Sequence, residues 1–241
     1  MQRLVASCGL VLLSSCFVGC SLLRNAENRE IVPQVETAKL RESTTFLNER
    51  ELCINTAANL AAKGHAAEAI ALYEKAERLK PNDRSFDLEL APLFTQVGDS
   101  ETAVAKYESA IADGHANSAT FNNLAWTLMG MGRTDAALEA VNRGLTVAPD
   151  DQRLNSTQAV ALYKKGDRQS ALSKFEAIYG PSAAHHNLAV LDLEAGQIDA
   201  AIKHAKLAAE HPDCTRESLA LHETLLATVA TQADSASSSS K

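Results

Sequence analysis

The chain has 241 residues, a formal charge of −7, a hydrophobic content of 46% and an aromatic content of only 5%. An acidic chain of this kind repels a phosphate backbone, so nucleic acid is excluded as the default partner. Few aromatics and abundant alanine suit helix-on-helix packing.

Residues 1–20 differ in character from the rest of the chain. Arg3 precedes an apolar run from Leu4 to Leu13, then come small residues and Cys20, which is the layout of a secretory signal. The run is too short for a transmembrane anchor, and no later segment is long and apolar enough to span a bilayer. Arg3 is the only charged side chain here, so removal of the leader leaves a charge of −8. The ending Phe17-Val18-Gly19-Cys20 resembles a bacterial lipobox, in which the cysteine is lipidated and becomes the first mature residue. Leu13-Ser14-Ser15-Cys16 resembles one too. Cys20 is the expected lipidation site, because it leaves the longer apolar core and the small Gly19 before the cut; Cys16 is the alternative, and a plain signal with an unmodified cysteine is a third reading. Two acyl chains and a third on the amine would anchor the protein stably, where one chain is marginal. Ser21 instead of an aspartate after the anchor resembles the outer-membrane default, so the expected location is the cell envelope, at the outer membrane facing the periplasm. Residues 21–45 carry mixed charges and Pro33 without periodicity, as a flexible tether with a span on the order of 25–30 Å.

From residue 46 to 214 one pattern returns five times. A glycine at a polar break is followed five residues later by an alanine on an apolar helix: Gly64 and Ala69, Gly98 and Ala103, Gly132 and Ala137, Gly166 and Ala171, Gly196 and Ala201. The glycines are spaced by 34, 34, 34 and 30 residues, a period that signals stacked helical hairpins. Ala66, Ala69, Ile70, Tyr73, Ala76 and Leu79 follow helical periodicity. The break glycine can take the left-handed conformation that ends the first helix of each hairpin. The alanine lets two helices approach, and Tyr73, Tyr107, Val141 and Phe175 fill the space four positions on. In the fifth repeat Ala205 takes that place, which predicts looser packing. Pro92 falls inside the second repeat's first helix, where its ring is expected to clash with the carbonyl of Leu88 and bend the helix. The short fourth repeat turns through Gly180 and Pro181. Beyond the array, Thr215, Arg216 and Glu217 open an amphipathic segment, expected to be a capping helix over 215–230. The serine-rich residues 231–241 are expected to be disordered.

The period, the small residues after Leu90, Leu124 and Leu188, the break glycine, the alanine, the large residue and the closing Pro81 and Pro149 together resemble the tetratricopeptide repeat. The resemblance implies an all-α fold, an α-solenoid of about five helix-turn-helix repeats with boundaries near 50–83, 84–117, 118–151, 152–181 and 182–214. It also implies that the first helix of each hairpin lines an inner groove. By helical phasing, that groove receives Ile54, Ala58 and Ala61, then Leu88, Pro92 and Thr95, then Asn122, Trp126 and Met129, then Ser156, Val160 and Tyr163, and last His186, Val190 and Leu193. Its centre is expected at Trp126, Met129 and Tyr163, flanked by Asn122, Asn123 and Asn187, with His186 further along. An aromatic and a methionine ringed by amides suit an extended or helical peptide. Relatives that grip C-terminal carboxylates use lysine and arginine pairs where this chain has apolar residues, so that mode is not expected.

No phosphate-cradling loop, zinc spacing or hydrolase motif is present, so no cofactor, metal, small-molecule substrate or catalytic residue is expected. Cys53 and Cys214 sit at opposite ends of the array and are not expected to pair. His185 and His186 are adjacent and point about 100° apart on a helix, so packing or surface is the expectation for both. The resulting expectation is an envelope scaffold binding a protein or peptide client. Similar lipoproteins help assemble pilus or secretin machinery, including the tight-adherence pilus. An adaptor for cell-wall or outer-membrane biogenesis enzymes is the alternative, and a periplasmic enzyme or metal carrier the distant one.

Overall fold

The computed structural model describes residues 49–238. Both candidate lipidation sites, Cys16 and Cys20, and the tether lie outside them. The described residues form α-helices in series: α1 (Glu49–Ala62), α2 (Ala66–Leu79), α3 (Asp87–Gln96), α4 (Ser100–Ala112), α5 (Ser118–Gly130), α6 (Thr134–Val147), α7 (Gln152–Lys165), α8 (Arg168–Tyr179), α9 (Pro181–Glu194), α10 (Ile198–Glu210) and α11 (Arg216–Ser238). Consecutive pairs make five hairpins, and α11 comes after the last. The fold is an all-α solenoid. No helix among the described residues is long and apolar enough to cross a membrane.

Each hairpin turns by the same device. The five break glycines have φ between +72° and +95°, a region that side chains with a Cβ enter only at a cost. That turn lets the residue after each glycine donate its N–H to the carbonyl five residues back: His65 to Leu60, Asp99 to Phe94, Arg133 to Leu128, Asp167 to Leu162 and Gln197 to Asp192, at 2.8 to 3.0 Å. Carbonyls that the helix end would leave open are thereby satisfied. Asp99 and Asp167 then cap the following helix, their carboxylates accepting from Thr102 N and Ser170 N.

The alanines five residues past the glycines, Ala69, Ala103, Ala137, Ala171 and Ala201, are all fully buried. A methyl is the largest group that fits where helix backbones approach this closely. Ala205 does not loosen the fifth hairpin as expected. It is itself fully buried, and Leu225 of α11 joins Ala189, Ala201 and Ala205 in one cluster. Pro92 lies on the exposed side of α3, which at 10 residues is the shortest of these helices. Having no N–H, Pro92 takes one bond to Leu88 out of the ladder. The fourth repeat is shorter because α8 has 12 residues where α6 has 14, and because Gly180 alone replaces the junction 148–151, with Pro181 starting α9; Ala195 before Gly196 restores one residue of the loss. Helix α11 runs on to Ser238, past the boundary at 230 expected from sequence.

Each second helix packs on the first helix of its own hairpin and on the helix that follows it, whereas first helices also touch one another, α3 meeting α5 and α5 meeting α7, and α9 meets α11. A stack in which only the first helices crowd together has them on its inner side. Polar pairs bridge these contacts at every step from α3 onward. Thr95 Oγ1 lies 3.3 Å from Thr127 Oγ1, Trp126 and Asn122 reach Thr157, Tyr163 reaches Asp192, and His186 reaches Ser218. On the second helices, Arg143 holds Glu108 through two bonds of 2.9 and 3.0 Å, tying α6 to α4.

Candidate inner-face binding site

The inner-face slots on the middle turn of the first helices are Ala58, Pro92, Trp126, Val160 and Val190. The first three are exposed and the two valines are half-buried. Trp126 presents the largest apolar surface among them, with 47% of its area exposed. Its indole is held in place: Nε1–H donates to Thr157 Oγ1 at 3.2 Å, and Thr157 donates in turn to Asn122 Oδ1 at 2.7 Å. Thr157 is buried, so this relay is shielded from competing water. A tryptophan with its polar edge already bonded and its face open offers apolar area at little further cost in side-chain entropy. Asn122 has amide donors besides the Oδ1 that accepts from Thr157, and Asn123, exposed on the same helix, stands beside the Tyr107 hydroxyl of α4. Together they can hydrogen-bond the backbone of a bound chain beside the indole.

Two expected members of this site belong elsewhere. Met129 is 6% exposed and packs with Leu128, Val141 and Ala161 in the core. It sits on the last turn of α5 in a cluster that draws on α3, α6 and α7, and helical phase alone does not reveal that cover. Tyr163 is 9% exposed, and its hydroxyl donates to Asp192 Oδ1 at 2.7 Å. Burial, and then the adjacent carboxylate, push its phenol up to about 12, so it stays a proton donor at any ordinary pH. His186 and Asn187 are half-buried on α9, two first helices away from Trp126, and they do not flank it. The site therefore consists of Trp126, Asn122 and Asn123 on α5, with Thr157 on α7.

Sequence reasoning missed Thr157 and Asp192. Asp192 is fully buried, and Arg168 meets its Oδ1 at 2.6 Å while lying over the Tyr163 ring at 4.8 Å. Its Oδ2 has no hydrogen-bond partner among the described residues. A signal was available: Asp192 occupies the slot that holds Leu60, Phe94, Leu128 and Leu162 in the other repeats, so an acid there had to be buried and paired. Thr157 left no comparable trace, since a threonine on a helix reads equally as core or surface. A surface cavity of about 610 Å³ between α2, α3 and α4 contains none of these residues.

Comparison with known proteins agrees with this architecture. Residues 122–186 match the sequence profile of a family described as tetratricopeptide repeat. Solved structures with the same fold include YrrB, a tetratricopeptide-repeat protein with an unusual peptide-binding site, at TM-score 0.52 and 21% identity over 71% of this chain and 90% of that one. A tetratricopeptide-repeat protein from Parabacteroides merdae ATCC 43184 superposes with TM-score 0.58 and 18% identity, covering 78% of this chain and 77% of its own. MamA gives TM-score 0.54 and 17% identity over 67% and 91%. Among curated proteins none matches this chain in sequence.

Proposed function

We propose that the array is a non-enzymatic protein-interaction scaffold that binds a peptide segment of a client along the first helices, with Trp126 as its anchor. The observation that carries this is the exposed indole fixed by the Thr157 and Asn122 relay on the inner side of the stack. Rigid, half-exposed aromatics are the residues that contribute most at interfaces. The peptide-binding site of YrrB, a protein of the same fold, supports a peptide as the ligand class. The lipobox resemblance at Cys20, or at Cys16, supports an exported, lipid-anchored protein of the bacterial envelope, at the outer membrane facing the periplasm. A lipobox ahead of such an array supports a client within pilus or secretion machinery.

The test is affinity capture from envelope extracts with the full chain, its Trp126→Ala form and its Trp126→Phe form, with bound proteins identified by mass spectrometry. Loss of a pilus or secretion component from Trp126→Ala, retained in part by Trp126→Phe at an unchanged melting temperature, is the expected result. Equal recovery by all three forms would put binding elsewhere. A collapsed melting temperature in Trp126→Ala would make the indole structural.

A further inference from the structure

The C-terminal end of the array gathers imidazoles at its helix contacts. His185 of α9 and His204 of α10 meet with their Nδ1 atoms 3.0 Å apart, their rings stacked at 28° with centroids 5.2 Å apart. His186 of α9 places its Nδ1 3.3 Å from Ser218 Oγ of α11, and Ser218 is fastened to the start of that helix by Thr215. Helices α10 and α11 are thus each tied to α9 through a histidine.

An Nδ1-to-Nδ1 contact of this length is a hydrogen bond that holds one proton between two nitrogens. One further proton can be taken at an outward Nε2, and the bond survives as a charge-assisted one. A second puts N–H against N–H and one positive charge beside another, and the pair must part. We propose that the His185–His204 pair is an acid-sensitive latch, whose double protonation parts α10 from α9, loosens α11 with it and uncovers the Ala189, Ala201, Ala205 and Leu225 cluster. The groups facing the latch pull both ways. Glu176 of α8 favours a proton on His185 and His211 opposes it, while Asp192 of α9 favours one on His204 against Arg168 of α8 and Lys203. Burial outweighs these and holds both imidazoles below the ordinary histidine value. His186 is held low for the same reason, against the pull of Glu217 on α11. A histidine depressed in the folded state binds its proton more readily once released. Stability is therefore complete above the unfolded value near 6.5 and falls as the pH drops through it toward the folded values.

The experiment is hydrogen exchange of the full chain between pH 7.5 and 5, corrected for intrinsic exchange rates, together with histidine ring titrations by NMR. Protection of α9, α10 and α11 is expected to fall relative to α5 and α6, by up to about tenfold per pH unit for each proton taken up. His204→Asn offers an amide in place of Nδ1 that does not titrate, and it is expected to retain that protection in acid. The proposal is overturned if the unaltered chain loses no protection selectively at this end, or if His204→Asn loses it equally. Should that variant fail to fold, the unaltered chain decides alone. Two separated titration steps for His185 and His204, the second coincident with opening, support the latch, and a single step without opening overturns it.

Discussion

Gly144 occupies the slot that Ala76, Ala110 and Ala208 fill in other repeats, in the interior of α6. A Cβ added there would come within 2.7 Å of Phe121 Cβ and 3.0 Å of Leu154 Cδ1. Helix propensity alone would reward Gly144→Ala by about 1 kcal/mol. Overpacking costs about 1–3 kcal/mol, and the nearest contact is with a Cβ that cannot swing away. The expected outcome is a lower melting temperature, and a higher one would mean that Phe121 gives way. Asp192 poses the electrostatic counterpart. Arg168→Met leaves its buried carboxylate without a countercharge, at a cost of about 3–5 kcal/mol. Arg168→Met with Asp192→Leu restores the apolar slot of the other repeats and is expected to recover most of that loss in urea unfolding. A double variant no better than Arg168→Met would contradict the pairing. Both sites follow from the register of the repeat, so both were within reach of the sequence. What the sequence withheld was cover: Met129 and Trp126 lie on the same helix face by phase, and the neighbouring helices bury one and leave the other half open.

At the scale of the hairpin, the turn is legible because its cause is local. A glycine recurring at 34 residues, and at 30 in the last interval, marks the one position where the backbone must turn left-handed, and the structure has positive φ at all five. No heavy atom lies within 4 Å of a Cβ built at Gly132, so substitution there tests the backbone alone. Gly132→Ala is expected to cost about 1–2 kcal/mol. Gly132→Asn should cost less, since asparagine tolerates that conformation. If both are neutral, the Arg133 to Leu128 bond does not hold the turn. The end of α11 was less legible, because serine and alanine without apolar periodicity signal neither a helix nor its absence. Leu225 of α11 is buried against α10, and Leu225→Ala is expected to cost about 2–3 kcal/mol by chemical denaturation, concentrated in α9 to α11.

Across the whole array each hairpin holds only its neighbours, so stability is a sum of local terms and nearest-neighbour contacts. Buried side chains fall into successive clusters: Cys53 to Leu93 over α1–α3, Ala91 to Ala161 over α3–α7, Ala159 to Leu188 over α7–α9, and Ala189 to Leu225 over α9–α11. The second of these joins the two ends, and Ala137 lies within it, fully buried between helices. A phenyl ring at that place cannot be absorbed, and Ala137→Phe is expected to destabilise α5 and α6 by about 1–3 kcal/mol. A compact domain would lose that amount everywhere at once. Here α1–α2 and α9–α11 reach the altered hairpin through the helices between, so the unfolding transition should broaden and separate. Hydrogen exchange should show the loss greatest in α5 and α6 and fading toward both ends. A single transition, shifted but equally sharp, would instead mean that coupling between hairpins exceeds what one overpacked contact can break.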